Sequence, residues 1–324
     1  MLDALSLAKS SGAYKILQGE KRSQTFSHAY LFISPDEYLS EYVKEFAYLV
    51  ASTGDQAKDL RLYNLIRNGF HPDVITYPKN GESVTADEAV EIVSEAFVKP
   101  LECDKKIFII LNADKMNAVA QNKLLKTLEE PPKGVHFLLC AKSEYPLLQT
   151  VKSRVKKFEI TGFSDDALKN ALSGEGKSER EIERAVALSD KTLSGVKQLL
   201  SDESVQKYDD LATQVITQML KSPQVLSFST KILALPDLER FLSVLECKLK
   251  DLMYIHTGKP ELVSDKFSLQ ALSGAQGFKT GSVIHAIECV NECYKKLKFN
   301  ANATAVVEWL LFQILEGKYK WQKL

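Results

Sequence analysis

The chain has 324 residues, of which 45% are hydrophobic and 26% charged, as in an ordinary globular protein with a sizeable core. This composition excludes a disordered chain and a fibrous repeat. Basic and acidic residues number 42 each, so no net charge attracts nucleic acid, and any DNA contact has to come from a local patch or a partner subunit. At about 150 residues per domain, the length predicts two domains or three small ones.

Cysteine usage and hydropathy indicate the compartment. No run approaches the ~18 apolar residues that a membrane span needs, and the N-terminus has an acid at Asp3 and no basic flank before an apolar stretch. Five cysteines, an odd number, do not suggest a disulfide framework. We therefore expect a reduced, cytoplasmic protein without membrane contact.

The first half of the chain alternates strand and helix patterns. The apolar runs predict strands at 29–33, 73–77, 106–111, 136–140 and 157–160. Helical stretches lie at 36–51, 56–68, 85–99 and 117–129. The richest strands are almost continuously apolar, as in parallel strands covered on both faces, and the helices are long enough for the crossovers. We expect an α/β domain with five parallel strands and helices on both faces.

Local signals support these helix boundaries. Thr85 and Glu88 have the spacing of a capping box at a helix start. Pro131 and Pro132 end the helix at 117–129, because proline excludes helical geometry for the residue before it. After Phe163 the pattern is helical to the end, with short helices first and longer amphipathic ones from about residue 208. These are predicted at 164–172, 178–189, 192–200, 235–255, 280–297 and 303–317.

The turn after the first strand is where a nucleotide would bind in such a fold. A phosphate-binding loop needs two glycines, a lysine and a hydroxyl residue. The chain has Ser34 and Leu39 at the glycine positions, Ser40 at the lysine position and Glu41 at the hydroxyl position. Acidic residues 36 and 37 stand where a polyphosphate would lie. The loop is therefore predicted to repel the ligand.

The end of the third strand points the same way. A magnesium-dependent ATPase needs an aspartate and a glutamate there, one to hold the metal and one to activate water. The chain has Leu111 and Asn112 at these positions. We predict that the chain binds no nucleotide cofactor and has no ATPase activity of its own.

Two further segments resemble functional motifs only in part. Residues 174–178 end in Gly-Lys-Ser but follow a helix, so they are predicted to be a turn between two helices. His285, Cys289 and Cys293 fall on one helix face, yet the outer two are about 12 Å apart along the axis, too far for one ion. No metal site is predicted.

A short basic stretch at 151–157 precedes the last strand. It is either a solvated loop or a cation at the rim of the sheet. In the second case Arg154 could reach a phosphate bound by a neighbouring molecule, where a forked, permanently charged guanidinium suits phosphoryl transfer.

The segment at 122–132, Asn-Lys-Leu-Leu-Lys-Thr-Leu-Glu-Glu-Pro-Pro, resembles the signature helix of bacterial DNA polymerase clamp-loader subunits. Other landmarks agree in order: His-Ala-Tyr-Leu-Phe at 28–32, His-Pro-Asp-Val at 71–74, Lys-Ile-Phe-Ile-Ile at 106–110 and Ser-Arg at 153–154. Strong matches cover about residues 24–160. Within that family the gamma and tau ATPases keep the phosphate loop, whereas the delta-prime stator commonly lacks it, so the chain looks like the delta-prime type.

The resemblance implies an AAA+ module at 1–161 with a degenerate phosphate loop, a helical lid at 162–207 and a helical collar at 208–324. It implies that Arg154 is an arginine finger acting in trans on a neighbouring ATPase subunit, and that Ser153 positions its loop. The implied partners are gamma or tau ATPase subunits and the delta subunit in a five-membered ring, with the sliding clamp and primer–template DNA reached through the assembled complex of the replisome.

The chain departs from the family pattern in two ways. Residues 50–72 lack the cysteines of the zinc knuckle that many relatives carry, and Val155 replaces the cysteine after the finger. Lys197 falls near the family's second sensor position, where its role stays open. Two alternatives also stay open: a clamp-opening subunit of the delta type, and an ATPase of the gamma or tau type.

Overall fold

The computed structural model describes residues 2–202, 205–264, 266–275 and 277–320. Contacts divide the chain into two compact units, the first comprising Met1–Gly174 with Asp190–Gly195 and the second Glu175–Ser189 with Val196–Leu324. The division into three parts at 1–161, 162–207 and 208–324 stays a prediction. No helix within the described ranges is long and apolar enough to cross a membrane.

The first unit contains a five-stranded parallel sheet. Its strands are β1 (Ala29–Ile33), β2 (Val74–Tyr77), β3 (Lys106–Ile110), β4 (Val135–Ala141) and β5 (Lys156–Glu159). They lie in the order β2-β3-β4-β1-β5, with every neighbouring pair parallel. Each predicted strand end is within one residue of the observed end. The predicted α/β fold class is confirmed.

Burial along the strands follows their positions in the sheet. Every residue of β3 and β4 is buried, and the stacked rings of Phe108 and Phe137 lie 5.3 Å apart between them. On the edge strand β5 only Phe158 is buried. Strands covered by helices on both faces need apolar side chains on both, whereas an edge strand can alternate. Because β3 and β4 are buried on both faces, their sequences are almost continuously apolar and are easily recognised as strands.

Eight helices accompany the sheet in chain order. They are α1 (Leu2–Ser10), α2 (Gly12–Ser23), α3 (Leu39–Ala51), α4 (Gln56–Arg67), α5 (Ala86–Ala96), α6 (Ala118–Glu129), α7 (Gln149–Lys152) and α8 (Asp165–Leu172). The capping box of Thr85 and Glu88 begins α5 as predicted, and α6 ends at Glu129, just before the two prolines. Helices α1 and α2 had not been predicted.

The remaining helices lie wholly or mainly in the second unit. They are α9 (Glu179–Leu188), α10 (Leu193–Ser201), α11 (Val205–Gln218), α12 (Ser222–Leu233), α13 (Leu238–His256), α14 (Lys266–Leu272), α15 (Thr280–Lys298) and α16 (Ala303–Lys320). Helices α13, α15 and α16 pack around a core that includes Leu245, Val290 and Leu311. The predictions at 235–255, 280–297 and 303–317 match these three helices within three residues at each end.

Candidate functional site

The loop after β1 is tied into the sheet edge by its first residue. Ser34 donates its hydroxyl to the Ile160 carbonyl at 2.7 Å and its backbone N–H to the Ala141 carbonyl at 3.1 Å. The same hydroxyl accepts the backbone N–H of Asp36 at 3.2 Å. A glycine here, as a phosphate loop requires, would lack these side-chain bonds. Ser34 therefore holds the loop through hydrogen bonds to its own chain.

Asp36 occupies the centre of this loop and is 2% exposed. One carboxylate oxygen accepts from the backbone N–H of Tyr38 at 3.0 Å and of Ser194 at 3.3 Å. The other accepts from the Tyr42 hydroxyl at 2.7 Å and the Leu193 backbone N–H at 2.8 Å. Burial, together with this carboxylate, raises the pKa of Tyr42, so its hydroxyl stays a donor. The four donors use all the lone-pair sites of the carboxylate.

Sequence reasoning predicted the charge at Asp36 but missed its partners. The prediction was that Asp36 and Glu37 stand where a polyphosphate would lie and repel it. Asp36 instead bonds the start of α10, 157 residues further along the chain. Glu37 is exposed. No local pattern connects positions so far apart, so the sequence alone offered no signal for this contact.

The start of α3 also uses its own hydrogen-bonding groups. The Leu39 N–H donates to the Asp36 carbonyl at 3.2 Å, and the Glu41 N–H to the Tyr38 carbonyl at 2.9 Å. The Glu41 carboxylate pairs with Lys44 at 2.8 Å, while Leu39 is buried. A phosphate-binding helix start leaves such N–H groups free to point at the ligand.

A small cavity of about 220 Å³ separates the loop from the carboxyl ends of the neighbouring strands. Ser40, Leu111, Asn112 and Lys142 contribute to its lining. The Asn112 side chain donates to the Glu82 carbonyl at 2.8 Å. Small-molecule pockets usually measure about 300–1,000 Å³. The cavity is thus below the usual size for a ligand and receives no carboxylate from residues 111 and 112.

The predicted finger segment lies between β4 and β5. Arg154 follows α7, and one terminal guanidinium nitrogen donates to the Thr150 carbonyl at 2.8 Å and to the Ser153 hydroxyl at 3.3 Å. The other pairs with Glu129 at 3.0 Å. The Ser153 hydroxyl in turn donates to the Thr150 carbonyl at 3.1 Å. The Arg154 side chain remains 28% exposed, so its charge reaches the molecular surface.

Helix α6, which contains most of the signature segment, forms hydrogen bonds and an ion pair with the chain around α7. The buried amide of Gln121 accepts the Leu148 N–H at 2.8 Å and donates to the carbonyls of Met116 at 2.9 Å and Pro146 at 3.3 Å. These bonds hold the chain just before α7. Sequence reasoning recognised this helix but assigned no role to Gln121 or Glu129.

One cluster in the first unit has the residue types of a metal site, namely His71, Asp73 and Cys103. The Asp73 carboxylate already accepts three backbone N–H groups, from residues 101–103, at 2.7–2.8 Å. His71 Nδ1 accepts the Asp73 N–H at 3.0 Å, so in the neutral ring Nε2 carries the proton toward Cys103 Sγ, 3.6 Å away. A metal at Nε2 would have to displace that proton, which argues against an ion here.

Two other segments also have structural explanations. Residues 174–178 lie between α8 and α9, and Ser178 caps α9 in a capping box with Glu181, as expected of a helix connection. Cys289 and Cys293 are buried in the core of the second unit, with Cys289 Sγ 3.6 Å from His285 Nε2. Lys197 forms an ion pair with Glu175.

Comparison with known proteins shows what this chain is similar to. The parallel strand order β2-β3-β4-β1-β5, followed by a helical region, is that of an open α/β sheet, in which ligands bind at the carboxyl ends of the strands. The family model described as "DNA polymerase III, delta subunit" matches residues 9–164. Residues 9–164 of the chain are thus similar to this family.

The similarity to one relative extends beyond that segment. The chain is 25% identical to the DNA polymerase III subunit delta' of Bacillus subtilis (strain 168) over 320 residues, which is 94% of this chain and 95% of the relative. It is 30% identical to the DNA polymerase III subunit tau of the same organism over 159 residues, or 48% of this chain and 28% of the relative. The delta' similarity thus includes both units.

A solved structure of a gamma subunit-related DNA polymerase III protein from Thermotoga maritima aligns with 93% of this chain and 99% of its own. The sequence identity is 18% and the TM-score 0.42.

Proposed function

We propose that this chain is a non-hydrolysing stator of a DNA polymerase III clamp loader. The observation that carries this proposal is the buried Asp36 carboxylate, which lies in the loop where a phosphate would bind and accepts four hydrogen bonds from its own chain. A polyphosphate would meet both a negative charge and backbone N–H groups that are already bonded. At the end of β3, Leu111 and Asn112 stand where a magnesium-dependent ATPase has carboxylates, so neither position offers a ligand for magnesium.

The second part of the proposal concerns Arg154. We propose that it acts as an arginine finger, stabilising the charge that develops during ATP hydrolysis in an adjacent motor subunit. Its partly exposed guanidinium and its support by α6 and Ser153 favour this role. A finger of this kind is worth about 10³-fold or more in turnover rate.

The proposed partners follow from the same family. The chain would assemble with gamma or tau ATPase subunits and a delta subunit in a five-membered ring. It would act on the sliding clamp and primer–template DNA through that complex. The B. subtilis tau and delta' subunits to which the chain is similar support assembly with other clamp-loader subunits.

Reconstitution tests this assignment. The chain is mixed with candidate motor and delta subunits, the ring is identified by mass, and ATP hydrolysis is measured with the wild-type chain and with Arg154→Ala. We expect rings of equal mass and a turnover about 10³-fold lower for the variant. Lys152→Ala is the matched control, because it removes a cation from the same segment and should leave turnover unchanged.

Two outcomes would contradict the proposal. Full turnover in rings that contain Arg154→Ala would show that the arginine is not a finger. Capture of the sliding clamp by this chain alone would favour a clamp-opening subunit of the delta type.

A further inference from the structure

The Arg154 guanidinium is paired with a carboxylate from the signature helix. Glu129, the last residue of α6, places a carboxylate oxygen 3.0 Å from a terminal nitrogen of Arg154. The adjacent Glu130 is also exposed, and it provides a neighbouring acid for comparison. An ion pair at this place has a direct consequence for any role of Arg154 outside its own chain.

The other two nitrogens of the guanidinium have no charged hydrogen-bond partner in the described part of the chain. One terminal nitrogen bonds the Thr150 carbonyl and the Ser153 hydroxyl. The Nε atom is buried, and no hydrogen-bond partner for it lies in the described part of the chain. Glu129 is therefore the carboxylate that neutralises Arg154 in this conformation.

A neutralised arginine is poorly suited to stabilise a phosphate. The carboxylate at 3.0 Å would repel the anion that the guanidinium has to approach. A finger acts through its full positive charge and its forked donors. In this conformation Arg154 is thus held back from the reaction that the proposed function assigns to it.

The pair is nevertheless easy to break. The side chains of Arg154 and Glu129 are 28% and 57% exposed, so water screens their attraction. Gln121 holds the segment before α7 on the same helix, at 2.8 Å from the Leu148 N–H. Rotation of the Glu129 side chain alone can therefore separate the charges without moving the finger segment away from α6.

We propose that Glu129 is a positioning residue that holds Arg154 in a resting conformation until the charge that develops during hydrolysis of a neighbouring triphosphate competes for it. This inference rests on the proposed role of Arg154. If the pair is worth about 1 kcal/mol, the upper end for an exposed pair, its removal raises the fraction of free arginine by at most about fivefold. The chemistry in the motor subunit is unchanged once the arginine is free.

The test uses the reconstituted loader with the chain carrying Glu129→Gln, Glu130→Gln, Arg154→Ala, or Glu129→Gln with Arg154→Ala. We expect Glu129→Gln to raise the kcat of ATP hydrolysis without clamp or DNA by two- to fivefold, about the factor set by an exposed pair. The KM for ATP should stay constant, because Arg154 acts in the transition state. Glu130→Gln should match the wild type, and the double variant should match Arg154→Ala.

The outcomes separate the two proposals. An unchanged or lower kcat with Glu129→Gln, while Arg154→Ala loses activity, overturns the holding role and leaves the finger role intact. A double variant faster than Arg154→Ala also overturns it, because Glu129 would then act without the arginine. Full activity with Arg154→Ala overturns the finger role and the holding role with it. Ring mass, measured for each variant, identifies any loss caused by failed assembly.

Discussion

Asp36 in the loop at 34–42 and Arg154 in the segment at 149–157 are both charged, but the two charges are used differently. Asp36 is 2% exposed, and four donors of the same unit saturate it. Arg154 is 28% exposed, has one carboxylate partner and leaves Nε without a hydrogen bond in the described chain. The first charge is used fully within its own unit, whereas the second is partly exposed and has one exposed carboxylate as its partner.

This difference predicts which property each substitution changes. Replacing a buried charge whose hydrogen bonds are all made lowers the unfolding free energy strongly, because its donors are left without that acceptor. A partly exposed arginine contributes little to stability, because water replaces its partners. Variants of Asp36 should therefore alter unfolding, and variants of Arg154 should alter the activity of the assembly.

The largest expected effect concerns the shape of the Arg154 side chain. Arg154→Lys keeps the charge and loses the forked donors, and the fork is what suits a guanidinium to a phosphoryl group. We expect the variant to lose most of the ~10³-fold contribution of the finger to ATP turnover in the reconstituted loader. The unfolding free energy of the chain should stay within about 0.5 kcal/mol of the wild type. A fully active lysine variant would reduce the role of Arg154 to that of a charge.

The next effect concerns the stability of the loop. Asp36→Asn replaces one acceptor oxygen with an amide donor that faces further donors, so part of the network of Tyr42, Leu193 and Ser194 is lost. We expect chemical denaturation to give an unfolding free energy lower by about 2–4 kcal/mol. The control Glu37→Gln changes the neighbouring exposed acid and should cost less than about 0.5 kcal/mol. Equal losses for the two variants would contradict the bracing role of Asp36.

A smaller effect isolates one bond of that network. Tyr42→Phe removes the hydroxyl that donates to Asp36 at 2.7 Å and keeps the ring that packs edge-on against Phe163. We expect a loss of about 1 kcal/mol in unfolding free energy, the typical value for one hydrogen bond. In the Asp36→Asn background the same change should cost clearly less, because the two residues share the bond. Full additivity would mean that the bond contributes nothing to stability.

The smallest effect is the pH dependence of the unfolding free energy that His71 causes. His71 is the titrating group of its cluster with Asp73 and Cys103 in this comparison. Burial lowers the pKa of His71 below its ordinary value of 6.5, so the unfolded chain binds more protons at pH values just below 6.5. His71 therefore contributes stability that is present above about pH 6.5 and is lost as the pH falls through its folded pKa. His71→Asn keeps an acceptor for the Asp73 N–H without titrating. We expect the unfolding free energy, measured by denaturation at several pH values, to fall less between pH 7 and pH 5 for this variant than for the wild type. The difference should be under about 1 kcal/mol.

The parts of the fold that were predictable depend on local patterns. The strands around Phe108 and Phe137 have continuous apolar sequence, and the Thr85–Glu88 capping box lies within four residues, so both can be read from short windows. Helices α1 and α2 were missed, although Ser11 caps α2 through a bond to the Tyr14 N–H. Asp36, Gln121 and Glu129 owe their roles to contacts across 157, 25–27 and 25 positions, which no short window contains.

Nucleotide binding by the full-length chain tests the central claim most directly. ATP with magnesium is titrated to millimolar concentration while the thermal unfolding midpoint is recorded, because a ligand that binds the folded state raises the midpoint in proportion to the logarithm of its concentration. We predict a constant midpoint, since the loop carries the negative charge of Asp36 and its backbone N–H groups already donate to acceptors of the same chain. A saturable rise with ATP would contradict the account, because the loop would then accept the triphosphate that the stator role excludes.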